Sequence, residues 1–235
     1  MAFSLHEISD FERFLTELHL PYVASRFEGH VVPLDARALR GRFRAGGLVL
    51  EVRHRGALVA GALLFKEGRA LRYERSGYRP DCVDEPHLLA ERTAAVELGV
   101  FQAAQRLRAR TVELGFCRAF LDDGLFTHKR RLGCRFERAQ GTTAYALWVK
   151  PGQRARFFAA APLVMGHGDA LEVHLGFHPG ALTNPSLARA RGKNFAIPEV
   201  RRVVVWASGT AREVDGFCAS MAEVFDGREV VVRAG

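Results

Sequence analysis

The chain has 235 residues, 48% hydrophobic and 26% charged, with 34 lysines and arginines against 26 aspartates and glutamates for a net charge of +8. That length and apolar content fit one large domain, or one domain with a substantial extension, and exclude a disordered chain, a collagen, a coiled coil and a disulfide-stapled mini-scaffold. No apolar run approaches the roughly 18–20 residues of a membrane span, and the opening MAFSLHEISDFERFL lacks the basic stretch and apolar core of a secretory signal, so a cytoplasmic protein is expected.

Taken in order, Ser9-Asp10-Phe11-Glu12 reads as a capping box. Phe11, Phe14, Leu15 and Leu18 then form one helical face, Pro21 marks the expected end, and a second short helical piece is expected through Phe27. Residues 31–46 are rich in arginine and close on Gly46-Gly47, a loop signal. Three strand-like runs follow, Leu48–His54, Ala57–Phe65 and Ala70–Ser76, separated by Arg55-Gly56 and Glu67-Gly68. Such short gaps predict an antiparallel meander. Its nearly all-apolar middle run should be central and covered on both faces.

Pro86 opens a long helix to about Arg108, with Asp84 as its expected cap. Leu89, Thr93, Val96, Val100, Ala104 and Leu107 recur at spacings of three and four and should face the core. A glycine inside a helix costs about 1 kcal/mol against alanine, so Gly99 points to close packing. A strand Thr111–Leu114 and a short helix Gly124–Leu132 follow, the helix capped by Asp122 or Asp123 and stopped by Gly133. Arg135–Ala139 and Thr143–Val149 read as two more strands. Lys150-Pro151-Gly152 is a natural break. Beyond it, Leu171–Phe177, Val200–Ala207 and Glu229–Arg233 read as strands. Thr210-Ala211-Arg212-Glu213 is a second capping box, and Val214, Phe217, Cys218, Met221 and Phe225 form the apolar face of its helix. The class expected is α/β (α+β).

Several chemistries lack their motifs. No GxGxxG follows an early strand, and GxxxxGK[ST], GxSxG and HExxH do not occur. Cys82, Cys117, Cys134 and Cys218 form no CxxC pair, which leaves a structural zinc unsupported and suits a reducing cytoplasm. His174 and His178 are four apart but on a strand leading into Pro179-Gly180, not on one helical face. No metal is expected. No histidine is tied to Cys117 by spacing, so a cysteine nucleophile is not expected either. Thirty arginines against four lysines suit an anionic partner such as nucleic acid or a phosphate-bearing cofactor, or a solvated surface.

The stretch from Gly115 to Gly133, GFCRAFLDDGLFTHKRRLG, resembles the late motif of the FemAB-like branch of the GNAT superfamily of N-acyltransferases. There a strand ending in a glycine and a polar loop precedes a short helix carrying a lysine and a closing glycine. The hairpin Gly56–Gly61 and the long helix after Pro86 lie where such proteins place theirs, so the resemblance spans about residues 47 to 150. It implies a GNAT-like mixed, splayed β-sheet flanked by helices over 1–150. It also implies transfer of an acyl group to an amine, with Lys129 as the late lysine and backbone amides near Tyr73–Arg75 polarising the acyl carbonyl. The strand–helix–strand piece within 151–235 is too short for an independent enzyme and reads from its own pattern as a C-terminal extension packing on the core or on a partner. The segment Gly77–Asp84 lacks the glycines that hold a pyrophosphate, and Asp81, Asp84 and Glu85 would repel one. The donor implied is thus acyl-CoA (acetyl-CoA) held differently, or aminoacyl-tRNA.

Read from residue chemistry alone, Arg118, His128, Lys129, Arg130 and Arg131 bracket the short helix. As fixed cations they would bind a donor or substrate and steady developing negative charge. Asp122 and Asp123 could orient an amine or cap the helix. Glu74 and Glu113 are candidate bases, and Tyr73 and Tyr78 candidate proton donors to a leaving group. The acceptor expected is a small-molecule or peptide amine. Two other readings stand beside this one. Arg42-Phe43-Arg44 and the run from Arg154 to Phe158 suit a non-catalytic RNA- or tRNA-binding module. Val203-Val204-Val205-Trp206 in the strand-rich tail suits a homodimer interface.

Overall fold

A computed structural model describes residues 2–6, 11–27, 35–137, 149–150, 152–167, 170–177, 197–225 and 227–234. The fold is mixed α/β, with two mixed sheets flanked by helices. The chain divides into two compact units, Met1–Gly115 and Phe116–Gly235.

The first unit contains β1 (Ala2–His6), a continuous helical segment α1 (residues 11–27) and α2 (Ala36–Arg44). It continues with β2 (Gly47–His54), β3 (Ala57–Glu67), β4 (Ala70–Tyr78), α3 (Pro86–Arg106) and β5 (Thr111–Glu113). The strands lie in the order β1-β2-β3-β4-β5, antiparallel except for the parallel β4–β5 pair. β3 is central, as its composition requires, and Val59–Phe65 is buried throughout. One sheet face packs on Val96, Val100 and Ala104 of α3, which belong to the expected stripe, and on Ala103, which does not. The other packs on Phe11, Phe14, Leu15 and Leu18 of α1 and on Leu39 and Phe43 of α2.

α1 departs from expectation. It comprises Phe11–Arg13, a π-helical stretch Phe14–His19, and Leu20–Phe27. The expected stop at Pro21 is therefore wrong. A proline inside a regular helix loses a bond and presses on the carbonyl four residues back. Here the preceding turn is wide, with the Leu20 N–H reaching the Leu15 carbonyl, and the ring is accommodated. The N-cap of the first capping box, Ser9, lies outside the described residues. α2 was not anticipated. Asp35 caps it, accepting from the Ala38 N–H at 2.9 Å, and Leu39 and Phe43 are buried four apart.

Two glycines let α1 approach the sheet. Gly61 and Gly77 are cross-strand partners in β3 and β4. A Cβ on Gly61 would lie 2.7 Å from the Leu50 carbonyl and 3.2 Å from the Leu18 side chain. One on Gly77 would lie 2.8 Å from the His19 N. The helix thus rests on bare backbone.

The second unit contains α4 (Gly124–Arg131), α5 (Arg154–Ala160), β6 (Leu163–His167), β7 (Ala170–Phe177), β8 (Val200–Ala207), α6 (Ala211–Ser220), α7 (Ala222–Phe225) and β9 (Glu229–Ala234). The order is β6-β7-β8-β9, antiparallel for the first pair and parallel for the others. α6 opens on the expected Thr210–Glu213 capping box. Phe217, Met221 and Phe225 pack against Val203 and Val205 on one face. Ala155 and Phe158 of α5 cover Val204 and Trp206 on the other. Of the expected strands Arg135–Ala139 and Thr143–Val149, residues 138–148 lie outside the described residues, and Arg135, Phe136 and Glu137 carry no regular structure.

Gly77→Ala should destabilise the protein by about 1–3 kcal/mol, the usual cost of overpacking, because the atoms it meets are helix backbone. Gly124→Ala, with open space around it, should stay within about 0.5 kcal/mol of wild type. Urea unfolding of both variants checks this.

Candidate active site

β4 holds the most distinctive geometry of the first unit. It pairs with β5 only at Ala70–Thr111, Leu71–Val112 and Arg72–Glu113, and then continues to Tyr78 paired with β3 but not with β5. On the β3 side, Leu63 faces Arg75 while Leu64 faces Tyr73, so Glu74 is the extra residue of a β-bulge. Among the described residues no strand pairs with Tyr73–Tyr78 on the side β5 has left. Part of that edge is already used, since His19 Nδ1 meets the Ser76 carbonyl at 2.7 Å. The nitrogen on a carbonyl must be the protonated one, which fixes the tautomer.

The sequence-predicted residues of this unit fare differently. Burial pushes the Tyr73 hydroxyl well above the ordinary phenol range, with the neighbouring Tyr78 acting in the same direction. The group is protonated at neutral pH and is therefore a donor. The Glu74 carboxylate is mostly buried and lies between Arg42 at 3.4 Å and Arg72 at 3.0 Å. Glu113 is exposed at the end of β5.

The turn between β4 and α3 is tied from within. Arg92, buried on α3, bonds both Asp81 oxygens at 2.7 and 3.3 Å. The guanidinium holds the Asp81 carboxyl below its usual range. Asp81 is thus a neutralised anchor of this turn. Asp84 does not cap α3; Glu85 occupies the N-cap position without a side-chain capping hydrogen bond.

In the second unit α4 forms because Asp123 accepts from the Leu125 and Phe126 N–H groups at 2.9 and 3.0 Å, and it ends at Gly133 with φ +76°. Asp123 is thus the cap, and Asp122 beside it is exposed. Lys129 shares the inward side with Phe126, three residues earlier, and is 6% exposed. Its Nζ donates to the Phe116 carbonyl at 2.9 Å. Burial pulls the amine below the ordinary lysine value, opposed by Cys117, Cys134 and Asp123 nearby. Arg118 and Arg131 are exposed, and His128 and Arg130 are partly buried.

Sequence reasoning missed several polar residues held inside the fold. Glu51, 1% exposed in β2, is bound by Arg13 of α1 and by Arg53 at 2.8 Å. An acid amid the apolar run Leu48–Val52 was the available signal. In the second unit Trp206 Nε1 donates to His174 Nδ1 at 3.0 Å. Indole can only donate, so His174 carries its proton on Nε2, which donates to Glu172 Oε1 at 2.7 Å. Among the described residues no disulfide joins any of the four cysteines, and no group of metal-ligating side chains occurs.

No protein-family model matches this sequence, and neither does any curated protein. Solved structures do. An aminoglycoside acetyltransferase from an uncultured soil metagenomic sample, in complex with sisomicin, is 12% identical, covers 63% of this chain and 96% of its own, and gives a TM-score of 0.41. The ribosomal-protein-alanine N-acetyltransferase of Brucella melitensis biovar Abortus 2308 is 14% identical, covering 63% of this chain and 100% of its own with a TM-score of 0.37. AAC(6')-Iy, in complex with the bisubstrate analogue CoA-S-monomethyl-acetylneamine, is 12% identical, covering 63% and 100%, with a TM-score of 0.36.

Two stability responses follow. Burial, the largest cause, holds the His19 imidazole below its ordinary value, aided by Arg75 and opposed by the bond to Ser76. Asp81 is held low by Arg92. A depressed folded pKa contributes stability above the unfolded value and loses it as the pH falls. Stability should therefore drop first through the imidazole range and again through the carboxylate range. His19→Asn should flatten the first step and Asp81→Asn the second, read by urea melts across pH. Separately, Lys129→Met should cost about 1–3 kcal/mol, because the Phe116 carbonyl loses a charged donor. Exposed Arg131→Met should cost almost nothing in the same melts.

Proposed function

We propose that this chain is an N-acyltransferase of GNAT-like fold that passes an acyl group from acyl-CoA to an amine acceptor. The observation that carries the reading is the parting of β4 from β5 after Arg72 and Glu113, beside a bulge at Glu74. An acyl-pantetheine arm is extended and carries amides, and such a chain can add to an open strand edge through main-chain hydrogen bonds. At the bulge a backbone N–H is released from the ladder and can bond the thioester oxygen as it gains negative charge.

The chemistry then runs from residues of the first unit. The amine nitrogen attacks the carbonyl carbon and the carbon–sulfur bond breaks. Tyr73, kept protonated by burial, donates a hydrogen bond to the departing thiolate, which takes its proton from water. The amine's proton passes to Glu113, exposed on β5, or to water. Glu74 is less suited as the base because Arg42 and Arg72 already neutralise it. In the second unit, taken by itself, residue chemistry offers Arg118, His128, Arg130 and Arg131 as cations suited to an anionic ligand, and Asp122 as a carboxylate suited to an amine. We give Lys129 and Asp123 a holding role, on the Phe116 carbonyl and the start of α4.

Thiol release from acetyl-CoA, measured over a panel of small amines and peptides, tests the reading. Release should depend on the amine. Tyr73→Phe should lower kcat by about a hundredfold or more, the usual worth of a hydrogen-bond donor aimed at developing negative charge, with a smaller change in KM. Absence of both thiol release and acetyl-CoA binding would sink the proposal. Salt-sensitive tRNA binding by that same preparation would put the aminoacyl donor or the RNA-binding module in its place.

A further inference from the structure

β9 ends the second sheet, and among the described residues nothing pairs with its outer side. Its sequence is Glu-Val-Val-Val-Arg-Ala. Val230 and Val232 face the same way as their register partners Val203 and Val205, which lie in the α6–α7 core. Unlike those partners they are 38% and 49% exposed. An open, valine-rich edge of this kind is a template for another strand.

The opposite face carries a charge ladder across three strands. Glu172 of β7, Arg202 of β8 and Glu229 of β9 follow one another at 3.8 and 2.8 Å. Arg233, on that same face of β9, lies over the Trp206 ring at 5.6 Å. Glu229 and Arg233 stand symmetrically about Val231.

We propose that β9 pairs antiparallel with β9 of a second copy of this chain, about a two-fold axis at Val231. That register sets Glu229 opposite the partner's Arg233 twice over, so the ladder gains an arginine at its open end. It sets Val230 opposite the partner's Val232, closing four half-exposed valines into one apolar strip. A parallel pairing in register would instead oppose like charges, which is unfavourable. The occupant is a second copy because the strand's own charge order complements itself only when reversed.

Sedimentation of the full chain over a concentration series tests this. Wild type should show a monomer–dimer equilibrium. Glu229→Arg or Arg233→Glu alone turns two attractive cross-strand pairs into repulsive ones, and should weaken the dimer at least about tenfold. The double swap Glu229→Arg with Arg233→Glu should restore it. Val231→Cys gives a second readout that needs no charge change. Opposed residues of an antiparallel pair lie about 4.5–5.5 Å apart at Cα, within disulfide reach, so mild oxidation should cross-link this variant far faster than wild type with its native cysteines. A wild type that stays monomeric at every soluble concentration overturns the proposal. So does a dimer indifferent to the single reversals, a double swap that remains monomeric, or a Val231→Cys chain that cross-links no faster than wild type.

Discussion

The first unit depends on the direct contact of a helix with bare strand backbone. Side chains at positions 61 and 77 would hold α1 off the sheet. Without them Leu18 and Phe14 reach β3 and the His19 backbone reaches β4. Three further features need that approach. Arg13 can neutralise Glu51 in β2, the His19 ring can meet the Ser76 carbonyl, and Tyr22 can pack edge-on against Tyr78 at 4.8 Å. A buried carboxylate is tolerable only when paired, so the close fit and the acid in β2 explain one another.

β4 is consequently loaded unequally. Its α1 side is crowded and bonded, its β3 side is fully laddered apart from one bulge, and its β5 side is relinquished after three residues. A strand anchored on two sides can leave the third open without collapsing. That is a physical requirement for a rigid edge able to receive an extended ligand, and it is why the acyl-transfer reading is placed on β4 rather than on the cation-rich α4.

Much of this architecture was legible. β3 announces itself by an unbroken apolar run, α3 by its three-and-four spacing, and α6 by its capping box. α2 was hidden because the arginines around Leu39 and Phe43 look like loop composition, while its cap, Asp35, is a single residue. α1 was cut short at Pro21 because a π-turn has no signature in composition. The candidate site was only half visible. Tyr73 and Glu74 could be named by chemistry, but a bulge exists only as a mismatch between two paired strands, which one strand's sequence cannot display. Lys129, amid consecutive cations, looks like part of a solvated face. Its spacing from Phe126 was the clue that it turns inward.

The wide turn at Phe14–His19 also fixes the phase of everything downstream in α1. Deleting one residue there would let regular bonding resume, yet it would swing Tyr22 by about 100° around the axis, away from the Tyr78 ring. It would also bring the pyrrolidine of Pro21 against a normally spaced carbonyl. The extra residue, the proline and the tyrosine pair are therefore geometrically coupled, and a change at any one of them has to be absorbed by the other two.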